Sequence, residues 1–440
     1  MKPVFLVLAF SVVFTLAHLS YSPAQHASRK GGAVKRSIRF PSRTPRLDTP
    51  QRHTPAEGNV TDAIMPSVLW HVNQPVHMYS TCTVSASATN AAYVTASCGM
   101  YGDPSGAVDG YTVNSPKSLW EVSGSGYLIS SNGNVAAGAI SAESDQWGYQ
   151  TNLTVWNVQT GKVIWTKYLK YVELVDLGVS PDGTTVTGLF WVGYTTVYDW
   201  DVTSGDQLGT WSNTADGGGR ALVVGNSVFA VVDDDTVVII EKASGKMMWN
   251  DTFDFSTSTL CMSSDGSYVA YGFENLVLLA QQSQGYSQVW NVETTGPGSS
   301  LYLAGACAIE SGQVAVGWYS MNYNQNQAQL YTTSSSTPTY TYNYQATTDQ
   351  CQDLPVAAAM TLDGKYFVIG SWGDCADNVP QTVVFSTSSG NPVYTLTSPG
   401  SVWDVDIVTV GSSVYATTCA KHVQANVAGD GGDLYSIQIV

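Results

Sequence analysis

From residue 66 onward, apolar positions in this 440-residue chain do not recur every three or four residues, as a helix would require. They come in short runs rich in Val, Tyr, Thr, Ile and Ala, set off by Gly, Asn, Asp and Ser. That pattern predicts many short strands joined by turns, and so an all-β sandwich, barrel or propeller. Internal repetition decides among the three.

Two markers repeat. The first is a tight turn followed by an apolar strand, usually ending in Gly. It occurs at Asn132-Gly133, Asp182-Gly183, Asp265-Gly266, Ser311-Gly312 and Asp363-Gly364, with weaker copies at Thr89-Asn90, Gly225-Asn226 and Gly411-Ser412. Asn-Gly and Asp-Gly supply the positive φ angles of two-residue hairpins, and a spacing of roughly 40 to 50 residues is that of a four-stranded blade. The second marker is an aromatic residue closing a strand after a small polar turn, as in Thr160-Gly161-Lys-Val-Ile-Trp165 and Ser244-Gly245-Lys-Met-Met-Trp249. Tyr340, Tyr394, Trp70, Trp120, Trp211 and Trp290 complete this set. The Thr/Ser-Gly-x-x-x-Trp unit resembles the repeat of quinoprotein-type (pyrroloquinoline quinone repeat) β-propellers, and Trp200-Asp201 and Trp403-Asp404 are similar to the WD40 dipeptide. The resemblance covers the blade motif only. It implies that the repeated tryptophans dock one blade on the next.

Counting predicts a single propeller of eight four-stranded blades, or seven if one hairpin is misread. The segment from Trp403 to Val440 has room for three strands, while Val68-Leu69-Trp70 precedes every hairpin. The N-terminal strand is therefore expected to complete the last blade and hide the sheet edges.

The N-terminus adds a compartment. Lys2 and the apolar run from Val4 to Leu16 read as a signal peptide over residues 1–24. Residues 25–58, rich in Pro, Ser, Thr and Arg, read as a basic disordered arm or propeptide, with Lys35-Arg36 and Arg43-x-x-Arg46 resembling processing sites. The propeller domain is assigned to 59–440. Residues 1–55 hold nine basic residues and one acidic, a net charge of +8. The other nine basic and 33 acidic residues leave −24 on the remainder. Such a surface repels phosphate backbones, which excludes nucleic acid as a partner. No later run is long enough to insert in a membrane. Sequons at Asn59, Asn152 and Asn250 add glycosylation to the expectation. The chain is thus expected outside the cell, or in the lumen of the secretory or endolysosomal pathway, with an extracellular protein or a glycan as partner. The oligomeric state is left open.

In a blade the chain runs from innermost to outermost strand, so connections between second and third strands share one face, the top, with blade-to-blade connections. There the sequence predicts five long loops: Gly99–Gly106, Ser141–Gln150, Tyr319–Gln327, Gly373–Pro380 and Ala420–Gly432. They carry Met100, Tyr101, Trp147, Tyr149, Trp318, Tyr319, Asn322, Tyr323, Trp372, Asp374 and Asp377, with Asp103, Asp145, Asn324 and Asn326. Exposed aromatics among amides and carboxylates suit a sugar or a peptide. No cofactor is expected, although Asp233-Asp234-Asp235, or Asp430 with Asp433, leaves Ca²⁺ open. His77, Cys419 and His422 form a weak candidate for a transition metal. No nucleophile elbow, phosphate loop or Cys-Cys pair supports catalysis, so a non-catalytic recognition module is favoured over a quinoprotein-like oxidoreductase or other propeller enzyme and over a structural wall or matrix protein.

Seven cysteines are present. Cys82 with Cys98, and Cys351 with Cys375, are expected to pair across adjacent strands near the top. Cys261 and Cys307 occupy matching places in neighbouring innermost strands and are expected to remain thiols, with Cys419 the accessible one.

Overall fold

A computed structural model describes residues 66–75, 78–87, 91–98, 106–123, 128–144, 148–213, 218–253, 259–294, 301–320, 325–345, 353–373, 380–422 and 431–440. All secondary structure among them is β. The strands form eight four-stranded antiparallel sheets. The innermost strands are Tyr79–Ala86, Leu128–Ser131, Glu173–Val179, Gly219–Val224, Thr259–Met262, Tyr302–Glu310, Leu354–Met360 and Val402–Val410, which number blades one to eight in chain order. In the eighth blade the outermost strand is Ser67–Gln74, paired antiparallel with Gly432–Gln438. The protein is an eight-bladed β-propeller closed by its N-terminal strand, as the sequence predicted.

All eight glycine-turn markers join a first strand to a second. They are not all two-residue hairpins, however. Glu310 pairs with Gln313 and Val410 with Ser413 across two-residue turns. The Asp-Gly turns are wider loops organised by the aspartate. Ser180, Ser263 and Thr361 each donate a hydroxyl to the carboxylate two residues on, 2.7 Å away, at Asp182, Asp265 and Asp363. That carboxylate also accepts the backbone N–H of Thr184, Ser267 or Lys365. A short acceptor side chain here replaces the missing backbone hydrogen bonds of the turn.

The aromatic marker is the blade-to-blade clasp that the resemblance implied. Trp70 of blade eight donates Nε1–H to the carbonyl of Val113 in blade one at 2.8 Å. Trp120 does the same to Val158 of blade two (2.6 Å), Trp165 to Val202 of blade three (2.8 Å) and Trp290 to Thr332 of blade six (3.3 Å). The hydroxyl of Tyr340 reaches Ser388 of blade seven at 2.7 Å. The ring needs a flat seat, and glycine provides it. A Cβ on Gly161 would stand 2.5 Å from Trp120 Cγ, and one on Gly390 would stand 2.2 Å from Tyr340 Cγ. Both glycines have positive φ, which a side chain would also disfavour.

Second and third strands are buried on both faces over most of their length, since each blade is covered by two others. Thr185–Phe190 and Val228–Asp233 have no exposed position. Hydrophobic clusters therefore lie between blades rather than in one central core. Innermost strands add polar pins. Asp176 of blade three accepts the N–H of Leu222 in blade four at 2.7 Å. Asp404 and Asp406 of blade eight accept those of Cys82 (3.2 Å) and Val84 (2.9 Å) in blade one. Burial, ahead of the mutual repulsion at Asp404, pushes both of these carboxyls up to about 7. Trp403-Asp404 is thus an innermost-strand pin, whereas Trp200-Asp201 ends a third strand, where Asp201 caps the following turn.

The cysteine expectations are corrected. Cys261 and Cys307 form a disulfide, with their Cα atoms 5.8 Å apart. Counting from the glycine turns misplaced them by one register position, because the turn in blade five is wider than that in blade six. Cys261 pairs with Ala270, two positions from Gly272, whereas Cys307 pairs with Val316, one position from Gly317. A one-residue difference turns a side chain to the opposite face, so the two sulfurs meet. Cys82 lies opposite Ala96 and Cys98 opposite Tyr79, so these two are not linked. Cys419, expected to be accessible, is a fully buried thiol beside Cys82. Cys351 and Cys375 lie outside the described residues.

Candidate functional site

The top of the ring is less loop-rich than the sequence suggested. Where Ser141–Gln150 was expected to loop, Val135–Ser144 and Gly148–Asn157 continue as paired strands. Trp318 and Tyr319 likewise pair with Gln327 and Asn326 instead of entering a loop. Long second-to-third connections remain at 99–106, 373–381 and 422–431.

The candidate residues divide accordingly. Trp318 and Tyr319 have no exposed surface and Trp372 is 8% exposed, so these rings are packing residues rather than the exposed faces expected of them. Met100, Tyr101, Asp103, Asp145, Trp147, Asn322, Tyr323, Asn324, Asp374, Asp377 and Asp430 lie outside the described residues, as do the side chain of Tyr149, His77 and Asn59. Asn152 and Asn250 are exposed on strands.

Neither metal candidate is assembled. Asp233 is buried and accepts from Thr195 and Asn213, each at 2.5 Å, while Asp234 turns to Arg220 at 3.5 Å. Cys419 is in the core, and His422 Nδ1 stands 3.0 Å from Asp433. No group of three ligating side chains able to hold a metal ion occurs among the described residues. Asp433 instead latches the closing strand. Its buried carboxylate also meets His71 Nε2 at 2.6 Å and Asn73 Nδ2 at 3.0 Å, and His71 stacks on Tyr435.

At the top of blades six and seven a different arrangement stands out. Tyr319, Asn326 and Tyr344 are direct cross-strand neighbours in blade six and so share one face. Ser371 and Asp353 approach Tyr344 from blade seven. Asn326 is 1% exposed, Ser371 1% and Asp353 0%. Neither Nδ2 nor Oδ1 of Asn326 has a hydrogen-bond partner, and the adjoining hydroxyls of Tyr344 and Ser371 have none in good geometry. Burial, then the charge of Asp353, holds the Tyr344 phenol well above its ordinary range. Single buried atoms are unmet elsewhere on the ring, among them Thr95 Oγ1, Ser97 Oγ and Trp156 Nε1, but Asn326 is the one buried amide among the described residues with both its nitrogen and its oxygen unmet. A buried amide with both ends unmet costs a few kcal/mol, so it marks a place where something polar belongs. The sequence had pointed to Asn326. Tyr344, Asp353 and Ser371 were missed, because only the apposition of two blades brings them together.

Comparison with solved structures bears on the fold. The chain is similar to the β-propeller domain of Cps50 (Swd1) from Myceliophteria thermophila, at 10% identity and a TM-score of 0.50, over 85% of this chain and 99% of that one. It is similar to the WD40 domain of Toxoplasma gondii coronin at 10% identity and a TM-score of 0.52, over 86% and 88%. It is also similar to BamB from Moraxella catarrhalis at 14% identity and a TM-score of 0.49, over 84% and 99%. At these identities the likeness is one of fold alone. No family model matches the chain, and no curated protein sequence matches it.

Proposed function

We propose that this chain is a secreted, non-catalytic recognition module that binds a protein through the top of its ring, on the side of blades six and seven. The observation that supports this reading is the buried polar group of Asn326, Tyr344 and Ser371, left unmet at the top where connections to a partner would fall. Secretion is supported by the apolar run from Val4 to Leu16 and by the Cys261–Cys307 bridge, which suits an oxidising compartment. A protein is favoured over a glycan because Trp318, Tyr319 and Trp372 are packed away and offer no face for a sugar ring. WD40 domains among the similar structures add an argument by fold analogy only.

The test is to probe arrays of secreted proteins and of glycans with biotinylated chain 25–440. Protein binding is expected that is lost when residues 374–379 are replaced by Gly-Ser of equal length and kept in Lys365→Ala, on the opposite face. Glycan binding alone, or protein binding indifferent to the 374–379 replacement, would overturn the proposal.

A further inference from the structure

The unmet groups define a ligand chemistry, an inference that rests on the top face being a protein-binding surface. Asn326 offers one donor and one acceptor side by side on a planar amide, both buried and both without a partner. An ammonium or guanidinium would satisfy Oδ1 and leave the Nδ2 protons unmet, since it has no acceptor. A carboxylate would satisfy Nδ2, leave Oδ1 facing another acceptor, and stand near the fully buried Asp353. A second amide satisfies both ends at once: its C=O accepts from Nδ2 and its N–H donates to Oδ1. The hydroxyls of Tyr344 and Ser371, each able to donate or accept, remain for the outer lone pair of that group and, for a side-chain amide, its second N–H. We infer that the top of the blade six–blade seven interface is a subsite for an amide of a peptide ligand, held edge to edge by Asn326 and flanked by Tyr344 and Ser371. The amide can come from a main chain or from an Asn or Gln side chain of the partner.

The experiment uses four small probes on the whole secreted chain: propionamide for a side-chain amide, N-acetyl-triglycine methylamide for a main-chain amide, propionate, and methyl glucoside. Binding is read by saturation-transfer NMR and by the shift of the Asn326 side-chain NH₂ resonance, which needs no variant. At least one amide probe should bind, with an affinity on the order of millimolar for so few atoms. It should move the Asn326 resonance and weaken tenfold or more in Asn326→Leu, while Lys365→Ala leaves it unchanged. Propionamide alone binding assigns a side-chain amide; the triglycine alone assigns a main-chain amide. If Asn326→Leu fails to fold, Ser371→Ala should still weaken the amide probe about threefold. Silence from both amides, binding unaffected at Asn326, or Asn326-dependent binding of propionate or glucoside would overturn the subsite, the first result meaning that water alone fills it. Loss of array binding on replacing residues 374–379, with both amides silent, would remove the subsite and leave the protein-binding face standing.

Discussion

Gly161 and Gly245 occupy equivalent turns, have φ of 66° and 67°, and differ in one respect that can be weighed. Nothing lies within 4 Å of a Cβ placed on Gly245, whereas one on Gly161 meets Cγ, Cβ and Cδ2 of Trp120 at 2.5 to 2.8 Å. Gly245→Ala should therefore cost only the left-handed backbone term, about 1 kcal/mol. Gly161→Ala adds overpacking against atoms at the root of the indole, which cannot swing aside, at about 1–3 kcal/mol. Moving the ring also breaks the 2.6 Å bond from Trp120 Nε1 to Val158, worth about 1 kcal/mol. The expected totals are about 1 kcal/mol against about 3–5 kcal/mol. With an unfolding entropy of about 2 cal/mol/K per residue over roughly 375 residues, these translate to about 1 °C and about 4–6 °C in Tm. Differential scanning calorimetry, with urea midpoints as a second measure, resolves that gap. Equal shifts for the two variants would refute the docking of Trp120 on Gly161 as a stabilising contact.

Three further outcomes follow from the seams of the ring. Deleting residues 66–74 should expose the edge of Gly432–Gln438 and cause aggregation visible by light scattering; a soluble chain of unchanged Tm would contradict closure by the N-terminal strand. Because burial raises the Asp404 and Asp406 carboxyls from 3.8 to about 7, the folded state holds more protons between those values, and stability falls as pH rises from about 4 to about 7. After allowance for their partial exposure the loss is about 2 kcal/mol per carboxyl, and the double variant Asp404→Asn, Asp406→Asn should show a flatter Tm–pH profile, a result excluded if the two profiles coincide. Non-reducing peptide mapping should find Cys261 linked to Cys307, with Cys82, Cys98 and Cys419 alkylated only after denaturation; a Cys82–Cys98 bridge would refute the strand register.

The blade count and the closing strand were legible in the sequence because they rest on local chemistry. Glycine turns and period-two runs are set within a few residues, and the aromatic of each outer strand marks one blade. The disulfide was not legible, since it depended on whether two turns were of equal width. Nor could the alternation around Trp318 and Trp372 tell a solvent face from a face covered by the next blade, because both faces of these strands are buried. Asn326 was expected at the top on an exposed loop, and the structure keeps it at that end but buries it on a paired strand. That both its ends are unmet, beside Tyr344 and Ser371, was decided only when two sheets, each determined by its own sequence, were packed face to face. Local pairing follows from the order of residues along the chain. Contacts between blades depend on the sum of every turn length and bulge before them, and one residue in that sum reverses which side chains meet.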